Sequence, residues 1–230
     1  MGAGTGDFTE EFVRIGFTGV CFDIGEESKK ILSNRFKHTN GAVQIVDSIT
    51  DIKKRSEEFD YLFAFEVLEH IPDDHGALRE WAELIKPGGK VLITVPAHMG
   101  KFGPDDEFVG HVRRYEKAEL QELLTASGFS NIKIFNYGFP LGNIGRQIAT
   151  HLLKNHAKKK PEIEKLSSIE RSIESGVKRL PITSTLSFFF NRLTLLPFIF
   201  LQRLFFNFDI GDGYVASATK TPQNTKKPIN

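Results

Sequence analysis

The sequence predicts an α/β protein built on a mostly parallel sheet with helices on both faces. Three observations predict it. Short, nearly unbroken apolar runs alternate with amphipathic segments, several of those runs end on an acidic side chain, and a glycine-rich turn, "GAGTG", stands before the first amphipathic segment. Strands covered on both faces must be apolar throughout, and parallel neighbours need a crossover long enough to hold a helix.

Each element follows in order. In "DFTEEFVRIG", Phe8, Phe12 and Ile15 recur at helical spacing and Gly16 stops the run. "TGVCFD" is a strand ending at Asp23, and "EESKKILSNRF" is a helix with Ile31, Leu32 and Phe36 on one side. "AVQIVD" repeats the strand pattern to Asp47, "FDYLFAF" runs into "EVLEHIPD", and "HGALREWAELIK" is a helix closed by Pro87, Gly88 and Gly89. The strand "KVLITVP" follows. After Phe102 the pattern loosens into "GPDDEFVGHVRRY", then recovers in the helix "EKAELQELLTASG" and the strand "NIKIFNYG", with "GYVASAT" as the last strand.

These elements divide the chain into a main domain of residues 1–138 and 210–220, a helical insertion over 139–209 and a polar tail at 221–230 expected to be disordered. No internal repeat is present. In 230 residues, 40% hydrophobic and with 21 phenylalanines, one substantial core can be buried. Thirty basic against 29 acidic side chains leave a formal charge of +1, so no global field argues for nucleic acid. The single cysteine, Cys21, excludes an internal disulfide and a thiolate cluster, and the first residues lack the basic and then apolar pattern of a signal peptide. The expectation is a cytoplasmic protein.

The glycine turn carries the first functional signal. Gly2, Gly4 and Gly6 permit backbone angles closed to other residues, and the following helix aims free N–H groups at the same space. A dinucleotide fingerprint would read G-x-G-x-x-G, whereas here the spacing is G-x-G-x-G with Asp7 where a further glycine is expected. A carboxylate beside a pyrophosphate is repelled; beside a cationic sulfonium it is not. The turn therefore favours S-adenosylmethionine over a nicotinamide dinucleotide. Asp23 lies 21 residues beyond Gly2, near the spacing at which an acid meets ribose hydroxyls. Asp47 is placed to accept from the adenine amine, Ile24 and Ile45 to flank the base, and Glu66 to end the fourth strand of the crevice.

"GAGTG", the Asp23 strand end, "FDYLFAFEVLEHIPD", "LIKPGGKVLITVPA" and "GHVRRYEKAELQELLTASGF", in this order, resemble the class I S-adenosylmethionine-dependent methyltransferases, particularly their small-molecule group of the type 11 and 12 kind. The resemblance covers Gly2 to about Phe135 and the final strand. It implies a Rossmann-like, seven-stranded sheet, with the glycine turn around the methionine moiety, Asp23 on the ribose, Asp47 with Ser48 near adenine, and Glu66, Val67 and Leu68 beside the cofactor. It also implies a strand before the glycine turn, where this sequence has only Met1, so the first strand is expected to be truncated.

Methyl transfer needs proximity, orientation and sometimes a base. His111 and His70 are the candidates to take a proton, since one follows the fifth strand and the other the fourth. Arg113, Arg114 and Tyr115 either hold an anionic acceptor or pair with Asp105, Asp106 and Glu107. His75 and His98 are expected at the surface, and no histidine and carboxylate grouping has metal-ligand spacing, so no metal is expected. Leu186 to Phe208 is apolar but interrupted by Arg192, Pro197, Gln202 and Arg203, which favours a lid over the crevice, with peripheral membrane contact as the alternative and the lysines at 158–160 suited to an anionic surface. The expected activity is methylation of an oxygen or nitrogen of a small or lipid-like acceptor. Two alternatives stand beside it: a non-catalytic binding protein with a degenerate methyltransferase fold, and a nicotinamide-dependent oxidoreductase.

Overall fold

The computed structural model describes residues 1–55, 58–157, 169–171, 173, 192–206 and 208–222. The lysines at 158–160, the tail from 223 and the start of the apolar stretch at 186–191 lie outside them. In chain order the elements are α1 (Asp7–Arg14), β1 (Gly19–Phe22), α2 (Glu26–Phe36), β2 (Val43–Val46), α3 (Ile49–Lys54), β3 (Phe59–Phe65), α4 (Asp74–Glu83), β4 (Ile85–Pro96), α5 (Pro104–Val109), α6 (Lys117–Ala126), β5 (Phe129–Tyr137), α7 (Leu141–Ala157), α8 (Arg192–Leu204) and β6 (Gly213–Lys220).

The described strands number six and form two sheets, β1–β2 and β3–β4–β6–β5. The β1–β2 and β3–β4 pairs are parallel, but β6 runs antiparallel to both β4 and β5, so the sheet is mixed rather than mostly parallel. The cause is the return path. The chain leaves β5 at Tyr137 and re-enters β6 at Gly213, which pairs with that same Tyr137. A strand that starts beside the end of its neighbour must run the opposite way.

The core lies between β3, β4 and β6 and the helices α4 and α6. Leu78, Trp81 and Ala82 of α4 and Leu120, Leu123 and Leu124 of α6 recur at three and four residues and turn one apolar face to the sheet, where Val91, Ile93 and Val95 are fully buried. Helix α4 ends at Glu83, earlier than its apolar pattern suggested, because Ile85 already pairs with Phe59 as the first residue of β4. Helix α5, within the loosened stretch, was not anticipated. Pro104 opens it, and the Asp106 carboxylate accepts the Gly103 N–H at 2.9 Å, which caps it.

β1 and β3 flank a slot. Its carboxyl end is closed by the residues leading into the glycine turn: the Ala3 N–H donates to the Phe22 carbonyl at 3.1 Å, and the Met1 nitrogen to the Phe63 carbonyl at 2.8 Å. Aromatic packing covers the β3 side. Phe12 of α1 stacks on Phe63 at 4.2 Å, Phe8 meets Phe65 at 4.7 Å, and Phe17 meets Tyr61 edge-on at 5.4 Å. Phe8 and Ile15 are each 63% exposed, so of the α1 pattern only Phe12 is half-buried, while Phe8 lays one edge on Phe65.

Ile93 stands at the middle of β4, between β3 and β6, with no exposed surface. Ile93→Ala should therefore destabilise the fold by about 2–5 kcal/mol, read as a lowered midpoint in urea unfolding followed by circular dichroism.

Candidate functional site

The glycine turn is built as a cradle. Gly2, Gly4 and Gly6 have φ of 61°, 52° and 83°, the left-handed region that a side chain disfavours. At Gly2 a Cβ would lie 2.4 Å from a methyl of Val67, so the residue that opens this turn also touches the strand end opposite it. Asp23 locks the turn in place. Its carboxylate accepts the Gly4 N–H at 2.7 Å and the Gly25 N–H at 2.9 Å, tying the loop to the end of β1. Asp7 is not a free negative charge: Arg35 of α2 donates to it at 2.7 Å, reaches the Thr5 carbonyl at 2.7 Å, and pairs with Glu10 as well.

A cavity of about 1530 Å³ opens at this turn. Small-molecule sites commonly measure 300–1,000 Å³, and the excess here comes from the slot between β1 and β3, whose residues Val20, Phe22, Tyr61 and Phe63 line the same space. Glu66 closes β3 in the left-handed region at φ 53°, held by the Thr94 carbonyl and hydroxyl, which both accept its N–H at 3.1 Å. A non-glycine residue in that conformation stores strain, which is concentrated at functional sites. The Glu66 carboxylate accepts the Tyr137 hydroxyl at 2.9 Å. Burial, with the charge of Glu66 added, pushes the Tyr137 phenol upward, so the tyrosine stays a donor.

On the opposite wall stand two imidazoles. The rings of His70 and His111 are 4.7 Å apart, edge to face, and both line the cavity. His111 Nδ1 lies 2.8 Å from the buried Asp106 carboxylate, and His70 Nδ1 lies 3.2 Å from the Gly110 carbonyl. Burial and the charge of His111 lower the His70 imidazole to about 4, despite the bond to Gly110, so it is neutral near pH 7. Behind them Glu69 is completely buried. Burial, then repulsion from Glu66, raises its carboxyl well above the usual range. Asp106 is the hub. Burial works against its charge, but hydrogen bonds from His111 and Arg114 prevail and hold its carboxyl below the usual value. Arg114 donates from Nε to both of its oxygens, at 2.9 and 2.8 Å, and from Nη1 to the Ala97 carbonyl at 3.2 Å.

A family model described as a methyltransferase domain matches residues 1–134. The chain belongs to the methyltransferase domain family. Among curated proteins it is 32% identical over 98 residues to a ubiquinone biosynthesis O-methyltransferase of Xanthomonas oryzae, covering 41% of this chain and 40% of that protein. It is 29% identical over 103 residues to the enzyme of the same name from Citrobacter koseri, covering 44% of this chain and 43% of that protein. The match thus spans less than half the length of these relatives. Among solved structures it is similar to phosphoethanolamine N-methyltransferase 2 of Haemonchus contortus, bound to phosphomonomethylethanolamine and S-adenosylhomocysteine, with a TM-score of 0.55 and 18% identity over 96% of this chain and 48% of that one. An S-adenosylmethionine-dependent methyltransferase of Archaeoglobus fulgidus gives a TM-score of 0.52 and 16% identity, covering 95% of this chain and 83% of that one. These two likenesses bear on the fold.

Within the methyltransferase domain, the structure brings Gly2, Gly4, Asp23, Ile24, Glu66, Val67, His70 and His111 to one cavity. Gly6, Asp47 and Ser48 do not line it. Gly6 packs against Leu32 and Phe36 and sets the angle of α1; Asp47 points to solvent, 3.6 Å from Lys29; and the Ser48 hydroxyl accepts the Asp51 N–H at 3.1 Å, capping α3. Arg113 and Arg114 are tied into the fold rather than offered to a ligand, Arg113 on Asp74 at 2.5 Å and the Pro72 carbonyl at 2.7 Å. His75 is exposed as expected, while His98 is half-buried between Glu116 and Asp209, at 3.4 Å from each. Glu69 and Tyr137 were not singled out from sequence, and Asp106 was named only as a candidate partner of Arg113 and Arg114. Only the signature "FEVLEH" placed Glu69 near the site, and nothing local marks an acid as buried.

Removing the partner of a buried carboxylate leaves a charge without compensation. Arg114→Ala should cost about 3–5 kcal/mol in urea unfolding, well beyond Arg113→Ala, whose side chain is partly solvated.

Proposed function

We propose that this protein transfers a methyl group from S-adenosylmethionine to an oxygen or nitrogen of a small or lipid-like acceptor. The observation that carries the reading is the cradle of Gly2 and Gly4 clamped by Asp23 at the mouth of a cavity that two histidines face. Membership in a methyltransferase family and the names of the O-methyltransferase relatives support it, and both weigh against the nicotinamide alternative. The neutralisation of Asp7 by Arg35 removes the charge argument against a pyrophosphate, so the case for the cofactor now rests on family and shape.

The residues fit the group. Gly2 and Gly4 bring main chain in the left-handed region to the cavity wall, Asp23 and Ile24 stand at the end of β1, and Glu66 with Val67 at the end of β3. When bound, S-adenosylmethionine supplies an electrophilic methyl on a sulfonium. The chain's own residues do the rest: the half-buried Phe12, Phe63 and Phe65 exclude water, the Tyr137–Glu66 pair presents a polar contact, and His111 and His70, with Glu69 buried behind them, face the acceptor's proton. Asp106 fixes His111 with Nδ1 as donor, leaving Nε2 toward the cavity.

The finer readings belong here too. A seven-stranded Rossmann-like sheet would be completed by one more parallel strand in the slot between β1 and β3, supported by the donors at Met1 and Ala3 that already bridge it. The reading of 139–209 as a lid is supported by its described residues: Ile169 and Ile173 line the cavity, and α7 is pinned to the sheet through Arg146, whose Nε is 2.8 Å from Asp212. Peripheral membrane contact through α8 is supported by exposed Leu196, Phe198, Ile199 and Phe200. No described helix is long and apolar enough to cross a membrane. Residence in the cytoplasm remains part of the same proposal.

Calorimetry should show one S-adenosylmethionine bound per chain, weakened about tenfold or more by Gly2→Ala; absence of binding by the unmodified protein overturns the cofactor reading. With a panel of hydroxyl and amine acceptors, His111→Ala should lower S-adenosylhomocysteine formation about 10²–10⁴-fold while leaving cofactor affinity within about threefold. Turnover unchanged by that substitution removes His111 from the reaction. Cofactor binding with no turnover on any acceptor would favour the non-catalytic binding protein.

A further inference from the structure

Glu69, His70 and His111 converge in a way that their spacing in sequence does not suggest. The ligand-capable atoms of the three lie within 4.8 Å of one another. His111 Nε2 is 3.6 Å and His70 Nε2 is 3.8 Å from the same oxygen, Glu69 Oε1. Neither distance is a hydrogen bond. Glu69 has no exposed surface, and neither of its carboxylate oxygens has a hydrogen-bond partner. A buried carboxylate without a partner is among the costliest arrangements a fold can hold.

The tautomers make the arrangement more specific. The Gly110 carbonyl can only accept, so His70 Nδ1 carries the proton in that bond. Asp106, paired with Arg114, accepts in the same way from His111 Nδ1. In the neutral imidazoles both Nε2 atoms therefore present lone pairs, and both meet the Glu69 oxygen. With Glu69 ionised, three electron-pair donors face a common point.

We propose that this point is a divalent metal site of the zinc class, with Glu69, His70 and His111 as its protein ligands. Ligand atoms around tetrahedral zinc, with bonds of about 2.0–2.2 Å, stand about 3.4 Å apart, so the two contacts of the imidazoles with Glu69 need only a few tenths of an ångström of closure, and the two imidazole nitrogens, within 4.8 Å of each other, draw together by side-chain rotation. Two imidazoles and one carboxylate are a donor set that suits zinc and its first-row neighbours rather than magnesium, and three protein ligands leave a position open. The outer contacts are those such a site requires, one histidine backed by a carboxylate and the other by a main-chain carbonyl. Because His70 and His111 line the cavity, the open position faces it.

What the cation does rests on the methyl-transfer reading; the site itself does not. An acceptor hydroxyl on the open position becomes more acidic and releases its proton to solvent. The oxygen then forms a bond to the methyl carbon while the carbon–sulfur bond breaks, leaving the methyl ether and S-adenosylhomocysteine. In this arrangement His70 and His111 serve as ligands, and the substrate class narrows to hydroxyl-bearing acceptors.

The test begins with protein stripped by a chelator, incubated with zinc chloride, desalted and assayed for metal by atomic emission. One equivalent should be retained by the unmodified protein, with at least about tenfold less in Glu69→Gln and in the His70→Ala, His111→Ala double variant, each checked for folding by circular dichroism. Cobalt chloride should give visible ligand-field bands of a four- or five-coordinate site in the unmodified protein alone. Metal retention no greater than in a folded variant, or retention unaltered by either variant, overturns the proposal. Calorimetry of S-adenosylmethionine on the metal-free protein separates the two readings: cofactor binding without metal retention sinks the metal site only, and metal retention without cofactor binding sinks the cofactor reading only.

Discussion

The buried carboxylate of Asp106 is the interaction on which the site depends. It is almost wholly enclosed, caps α5 through Gly103, holds the guanidinium of Arg114 and orients His111. Through Arg114 it reaches the carbonyl of Ala97 just beyond β4 and the side chain of Asp212 just before β6. One side chain thus joins two strand ends, a helix and a candidate functional histidine. Its charge is tolerable in the interior because every bond to it comes from a donor, two of them potentially or fully cationic.

The elements were legible in the sequence wherever burial is two-sided. The second halves of β3 and β4 read as apolar runs because both their faces are buried or half-buried, β1 and β2 read so though most of their residues are only half-buried, and α4 and α6 read as helices because one face is covered at a regular interval. The direction of β6 was not legible. It depends on where a long intervening segment returns, which no local pattern encodes. Helix α5 escaped notice because six residues hold too little periodicity, and its start is fixed by Asp106, whose usual place would be solvent.

The same division holds for the site. Glycines with positive φ announce themselves, since few other reasons put three of them in five residues, and Asp23 was legible through its distance from Gly2. Asp47 and Ser48 stand outside the cavity lining because a strand end says where the backbone stops but not where a side chain turns, and they lie beside Lys29 and Asp51. The Glu69, His70 and His111 grouping was missed for a different reason. It joins the end of β3 to the loop after α5, and its decisive property, a carboxylate with no partner, exists only once the chain has folded.

The pairing of Asp7 with Arg35 has a bearing on selectivity. With its one acidic group already satisfied, the turn has little net charge to offer an incoming molecule, so a wrong ligand is not turned away by repulsion there. Discrimination at this end of the crevice then falls to contour: Gly2 packs so closely on the methyls of Val67 that the outline of the wall there is set by main chain and tolerates no side chain.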